Sequence, residues 1–230
     1  MRINKYISET GFCSRRETNR LIAAGRITIN GKVCGKGADV ELHDHVLIDG
    51  KEIPHHDSEA VYLALNKPIG IVCTAAEHVA GNIIQFVNYP SRIFAIGRLD
   101  KASEGLILLT NDGDIVNKMM RSEHHHEKEY VVTVDKPVTD EFMQAMSQGV
   151  EILNVVTKPC TVYRQSEDVF RIILTQGLNL QIRRMCKALG YSVLKLERVR
   201  IMNITLDQLE RGEWRHLEET ELHKLLFMLT

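Results

Sequence analysis

The sequence contains no run of 18 or more apolar residues, so no membrane-spanning helix is expected. It has no Walker-type glycine loop, which argues against a nucleotide-phosphate enzyme. Its five cysteines (Cys13, Cys34, Cys73, Cys160 and Cys186) are odd in number and widely spaced, and no Cys-x-x-Cys pair occurs. A disulfide framework or a zinc site is therefore not expected, and reduced thiols in a cytoplasmic protein are. No apolar stretch follows Met1-Arg-Ile-Asn-Lys-Tyr6, so no secretory signal peptide is expected. Internal repeats and low-complexity tracts are also missing.

What the chain does have is unevenly placed charge. The net charge is −1 over 230 residues, with 44% hydrophobic content. Residues 1–36 nevertheless hold eight basic residues against two acidic ones, and residues 180–200 hold six against one. Local basic faces on an otherwise acidic chain suggest a polyanionic partner.

Ser14-Arg-Arg-Glu17 has the form of a capping box opening a helix to about Ala24, with Gly25 past its end. Ile3, Tyr6 and Ile7 have helical spacing, and Gly11 stops that earlier helix. Asn30-Gly31 and Asp49-Gly50 are two-residue hairpin signals. The first 53 residues thus read as a small domain of two helices and short strands. Residues 54–60 read as a linker, and residues 61–230 as a second domain. In the latter, strands are expected at 61–65, 69–73, 94–96, 106–110, 130–134, 170–174 and 191–196. Helices are expected at 114–120, 139–147, 179–189 and 218–228. Strands outnumber helices without a regular βαβ repeat, so the fold class is α+β, with a mixed, largely antiparallel sheet and flanking helices.

The most distinctive segment is Gly97-Arg98-Leu99-Asp100, followed by Ser103-Glu104-Gly105, an apolar strand and the turn Asn111-Asp112-Gly113. A carboxylate between glycines, near a guanidinium, can serve as nucleophile or base. By itself this segment favours a structural Arg–Asp pair at a turn. By itself the basic helix bearing Arg15, Arg16 and Arg20 favours a solvated face.

Several spaced motifs together change that reading. Gly97–Asp100, Asn66-Lys67-Pro68-Ile69-Gly70, Lys128-Glu129-Tyr130 and Gly177-Leu-Asn179-Leu-Gln181-Ile182-Arg183-Arg184 resemble the motifs of the RsuA, RluB, RluE and RluF family of RNA pseudouridine synthases. The segments around 112–118 and 126–134 look closest to the RluF branch. Residues 2–21 resemble the alpha-L (S4-like) RNA-binding module. The resemblance implies an RNA pseudouridine synthase fold and a uridine-to-pseudouridine isomerisation that needs no cofactor and no metal. It implies Asp100 as the catalytic carboxylate, Tyr130 packing on the target base, and Arg183 pairing with Asp100. It further implies that Arg98 orders the motif loop or fills the space the base leaves. RNA contacts are expected from Lys5, Arg15, Arg16, Arg20 and Arg26, and from Lys67 and Arg184. Leu180 stands where the late motif has an arginine, which bears on target affinity.

The implied substrate is ribosomal RNA of the large subunit, in a bacterium. A transfer RNA anticodon loop is the alternative substrate, and a non-catalytic RNA-binding assembly factor is the alternative class. A monomer is expected. Three adjacent histidines, His124 to His126, read as an exposed turn rather than a metal site. Met119, Met120, Met143 and Met146 read as packing, and Trp214 as core within a late strand.

Overall fold

The computed structural model describes residues 1–53, 59–120 and 126–230. It divides into two compact units, Met1–Ala60 with Asn111–Gly113, and Val61–Thr110 with Asp114–Thr230. Most of the expected linker, and His124 and His125, lie outside the described residues.

In the first unit, α1 (Ile3–Glu9) and α2 (Arg15–Ala23) are followed by β1 (Ile27–Ile29), β2 (Lys32–Val33), β3 (Val46–Ile48) and β4 (Lys51–Glu52). Ser14 caps α2 by accepting from the Glu17 amide, an interaction worth about 1 kcal/mol. The reciprocal half of the expected box is not made among the described residues, since the Glu17 carboxylate takes Arg20 instead. Both hairpin signals hold. Asn30 and Gly31, and Asp49 and Gly50, all have positive φ, as a turn matched to strand twist requires. The sheet order is β2-β1-β3-β4. Ile3, Ile7, Leu21, Ile22, Ile27 and Val46 are among the buried residues of its core.

The second unit runs β5 (Tyr62–Lys67), α3 (Ile83–Val87), β6 (Phe94–Ile96), β7 (Glu104–Thr110), α4 (Gly113–Met120) and β8 (Lys128–Val134). It continues through α5 (Asp140–Gln148), β9 (Glu151–Ile152), β10 (Val155–Val156), β11 (Thr161–Arg164), β12 (Val169–Leu174) and α6 (Gln181–Ala188). It ends with β13 (Val193–Ile201), β14 (Ile204–Thr205), β15 (Trp214–His216) and α7 (Glu219–Phe227). The main sheet has the order β11-β12-β8-β13-β7-β5-β15, with β6 on β7 and β14 on β13. Its pairings are antiparallel except β13 with β7, so the mixed α+β expectation holds. Strand β7 is buried along its whole length, because separate apolar clusters pack on its two faces.

Two expectations fail for physical reasons. Residues 69–73 form no strand. Gly70, at φ 94, donates its amide to the Lys101 carbonyl, and Val72 donates to the Gly81 carbonyl. These bonds fold the segment over the 97–103 loop rather than into the sheet. Trp214 does lie in a late strand, but β15 is a sheet edge, and the residue is 37% exposed, with its ring beside Tyr89 and His216.

Candidate active site

Asp100 sits in the loop between β6 and β7. Three cations hold the main chain of that loop. Lys67, the last residue of β5, is fully buried, and its Nζ donates to the carbonyls of Pro68 and Ser103, each at 2.8 Å. Burial lowers its pKa, which the neighbouring Cys73, Asp100 and Glu104 partly offset. Arg183, on α6, donates from Nη2 to the Ala102 carbonyl at 2.9 Å and from Nη1 to the Val193 carbonyl at 3.2 Å. Arg198, on β13, donates from Nε to the Leu106 carbonyl at 2.7 Å and from Nη1, at a long 3.5 Å, to the Arg98 carbonyl. The loop also closes on itself, with the Ser103 amide donating to the Asp100 carbonyl. From the other side, the Leu99 amide donates to the Cys73 Sγ.

Two expected assignments change here. Lys67 was expected to contact RNA, but its ammonium is enclosed and donates to two carbonyls. Arg183 makes no ion pair with Asp100 among the described residues. Carbonyl oxygens on two different segments occupy both of its terminal nitrogens, so it holds the loop from behind.

Asp100 and Arg98 line a cavity of about 320 Å³ together with Lys128, Tyr130, Leu180 and Arg198. Tyr130 on β8 lies directly across from Arg198 on β13. The guanidinium carbon stands 6.0 Å from the centre of the Tyr130 ring. Leu180 has φ 51 at the N-cap of α6, with no side-chain cap bond. The turn is held instead by Gln181, whose Oε1 accepts from the Leu178 amide at 2.9 Å. Arg184 is tied to Asn179 by two hydrogen bonds.

Sequence reasoning passes over Arg198 and Lys128. Arg198 is 2% exposed, and its Nη2 has no hydrogen-bond partner among the described residues. Leaving such a donor unmet costs about 1–3 kcal/mol. A signal was available, since Arg198 follows the buried Leu196 by two on the same strand, an inward position. Burial pushes the Lys128 ammonium down to about 8, with the Arg198 cation as the second cause. Met120 and His126 line the cavity too. His126 is buried, with Nε2 3.2 Å from the Lys118 carbonyl, so it is not part of an exposed turn. Met120 is half exposed, whereas Met119 and Met146 are packed as expected.

On the first unit, Arg15 and Arg16 are exposed. Arg20 pairs with Glu17, Arg26 with Asp49, and Lys5 with Glu9. These ion pairs are surface pairs of small worth, and their cations remain partly exposed.

A carboxylate, an aromatic ring and cations with no carboxylate partner among the described residues line one cavity on this mixed sheet. Residues 61–188 match the RNA pseudouridylate synthase family and residues 1–46 the S4 domain, and the chain belongs to that synthase family. It is 54% identical to the dual-specificity RNA pseudouridine synthase RluF of Salmonella typhi, covering 99% of this chain and 79% of that protein. It is 33% identical to ribosomal large subunit pseudouridine synthase B of Bacillus subtilis, over 97% and 95% of the two chains. A crystal structure of a pseudouridylate synthase superposes with a TM-score of 0.73 at 32% identity, covering 98% of this chain and 99% of the other.

Proposed function

We propose that this protein isomerises a specific uridine to pseudouridine in ribosomal RNA of the large subunit, with Asp100 as the reacting carboxylate. The observation that carries this reading is the convergence of Asp100, Tyr130 and Arg98 on one cavity. In the reaction the C1′–N1 bond breaks, and its electron pair leaves with the base. Asp100 either bonds to C1′, as in retaining glycoside hydrolysis, or removes the C2′ proton to leave a glycal. The base turns and C5 bonds to C1′, as the Asp100–C1′ bond breaks in the first route or as Asp100 returns the proton to C2′ in the second; C5 then loses its proton and N1 gains one. Atoms and charge balance without a co-reactant.

Tyr130 supplies the face on which the extruded base rests, repaying part of the few kcal/mol that extrusion costs. Arg98, exposed at the cavity mouth, orders the loop or occupies the gap left by the base. Residues 1–53 act as an RNA anchor through Arg15, Arg16, Arg20, Arg26 and Lys5, residues 54–60 as a linker, and residues 61–230 as the catalytic domain. Arg184 contributes a further phosphate contact. The protein works as a cytoplasmic monomer.

A second reading, a uridine in transfer RNA, is favoured by the similarity to relatives described as dual-specificity. Mapping pseudouridine in ribosomal and transfer RNA from cells with and without this gene tests both. One large-subunit position should revert to uridine in the deletion strain. Reversion confined to transfer RNA would select the second reading, and no reversion in either would refute both.

A further inference from the structure

The buried cation opposite Tyr130 has no role in the chemistry described so far. Arg198 is enclosed to 2% exposure, yet no carboxylate pairs with it among the described residues. Two of its three nitrogens donate to carbonyls, at 2.7 Å and 3.5 Å, and the third, Nη2, has no partner among the described residues. The residue lines the cavity that holds Asp100. Arg183 also has a buried nitrogen without a partner, but that side chain is not part of the cavity wall. The backbone of Arg198 is fixed as well, in register with Tyr130 on one side and Gly105 on the other. A planar donor with one unmet nitrogen, held rigidly beside a ring that would carry a base, suits an oxygen that gains negative charge.

We propose that Arg198 contacts the target uracil, donating through Nη2 to a carbonyl oxygen of the base and steadying the negative charge the base carries while detached from ribose. When C1′–N1 breaks, the departing electron pair spreads from N1 onto O2 and O4, so a cation at either oxygen favours cleavage. When C5 bonds to C1′, that charge disperses and the interaction weakens, which lets the product leave. Lys128, on the same wall, adds a second positive charge to the field around the base. This role rests on the proposed synthase activity.

The test compares ribosomal and transfer RNA transcripts made with UTP or with 5-fluoro-UTP, under single-turnover conditions. Loss of the N-linked nucleoside is read after nuclease digestion. Fluorine withdraws electrons from the ring and makes the departing base more stable as an anion, so it needs less help. Arg198→Met should slow cleavage of uridine about 100-fold, and cleavage of 5-fluorouridine by less than about 10-fold. A merely structural role would slow both by the same factor, and that result, or no slowing, overturns the proposal. If Arg198→Met loses its cooperative melt, the same comparison is read from Arg198→Lys, which keeps the charge but not the planar donor. A wild-type protein that cleaves neither transcript would instead remove the synthase reading, and this role with it.

Discussion

A β-carbon placed on Gly105 would lie 2.3 Å from the carbonyl oxygen of Arg198. The two residues face each other where β7 and β13 run parallel. Gly105 also has φ 101, a region that costs other residues about 1–3 kcal/mol. Both effects act on the strand that leaves the Asp100 loop. Gly105→Ala should therefore destabilise the second unit by more than about 2 kcal/mol and lower turnover as well. Urea denaturation checks it, and an unchanged midpoint would show that the strands can separate without cost.

Asp100→Asn keeps the side chain's shape and removes its charge and nucleophilicity. Pseudouridine formation should disappear, while RNA affinity stays within a few-fold of wild type. Turnover by the purified variant, with deamidation excluded by mass spectrometry, would take Asp100 out of the chemistry.

Tyr130→Phe keeps a ring against the base, and Tyr130→Leu does not. If the ring is a platform, the leucine variant should weaken binding of the extruded base by roughly 1–3 kcal/mol while phenylalanine retains most of the affinity. Single-turnover rates add the second axis. Near-complete loss in both would assign the hydroxyl to proton transfer, and normal rates in both would remove Tyr130 from the site.

Lys67 and the arginines of α2 should fail in different ways. Lys67→Met frees the Pro68 and Ser103 carbonyls and lets the loop shift. A displacement on the order of 1 Å at a reacting group costs about 100-fold in kcat, with RNA affinity unchanged. Arg15→Ala and Arg16→Ala should instead weaken binding across all sequences, and each should reduce the salt slope by about one as a phosphate goes without its cation. Filter binding over a salt series separates the two classes. A reduced salt slope for Lys67→Met would return that residue to the RNA surface.

Lys128 makes stability depend on pH in a defined window. Its folded pKa lies near 8, below the ordinary 10.5. Between those values the unfolded chain holds a proton that the folded chain has lost, so this side chain adds stability as pH rises through the window. Below about 8 the folded protein bears the cost of a buried ammonium. Lys128→Met should thus compare more favourably with wild type at pH ~7.5 than at pH ~9.5. Thermal melts of both proteins at the two pH values decide it, and a constant difference between them would count against the buried charge.

Local signals make much of the fold legible. Ser14 and the two hairpin turns act over three or four residues, so the first unit can be read directly. Strand β6, at 94–96, matches its expected bounds to the residue. Segment 69–73 misleads because its apolar, β-branched composition resembles a strand, while its hydrogen bonds run to Lys101 and Gly81, distant in sequence or across a turn. In the site, the motifs point to Asp100, Tyr130 and Arg98, which meet at one cavity. They do not show what the cations touch. A lysine reads as surface in one dimension, and the enclosure of Lys67 depends on β5, the 68–70 turn and the 97–103 loop arriving together. Arg183 is expected on a carboxylate and bonds to carbonyls. Arg198 lies in a strand outside the late motif, and only the pairing of β8 with β13 brings it to Tyr130.

Lys67 and Arg183 grip the Asp100 loop through the main-chain oxygens of Ser103 and Ala102, and brace on those of Pro68 and Val193. Every amino acid carries such an oxygen. The grip therefore reads the path of the chain and not the identity of its side chains. Lys101 and Ala102 are exposed, so a change of side chain there would alter what the rim presents without loosening the grip that keeps the carboxylate in place.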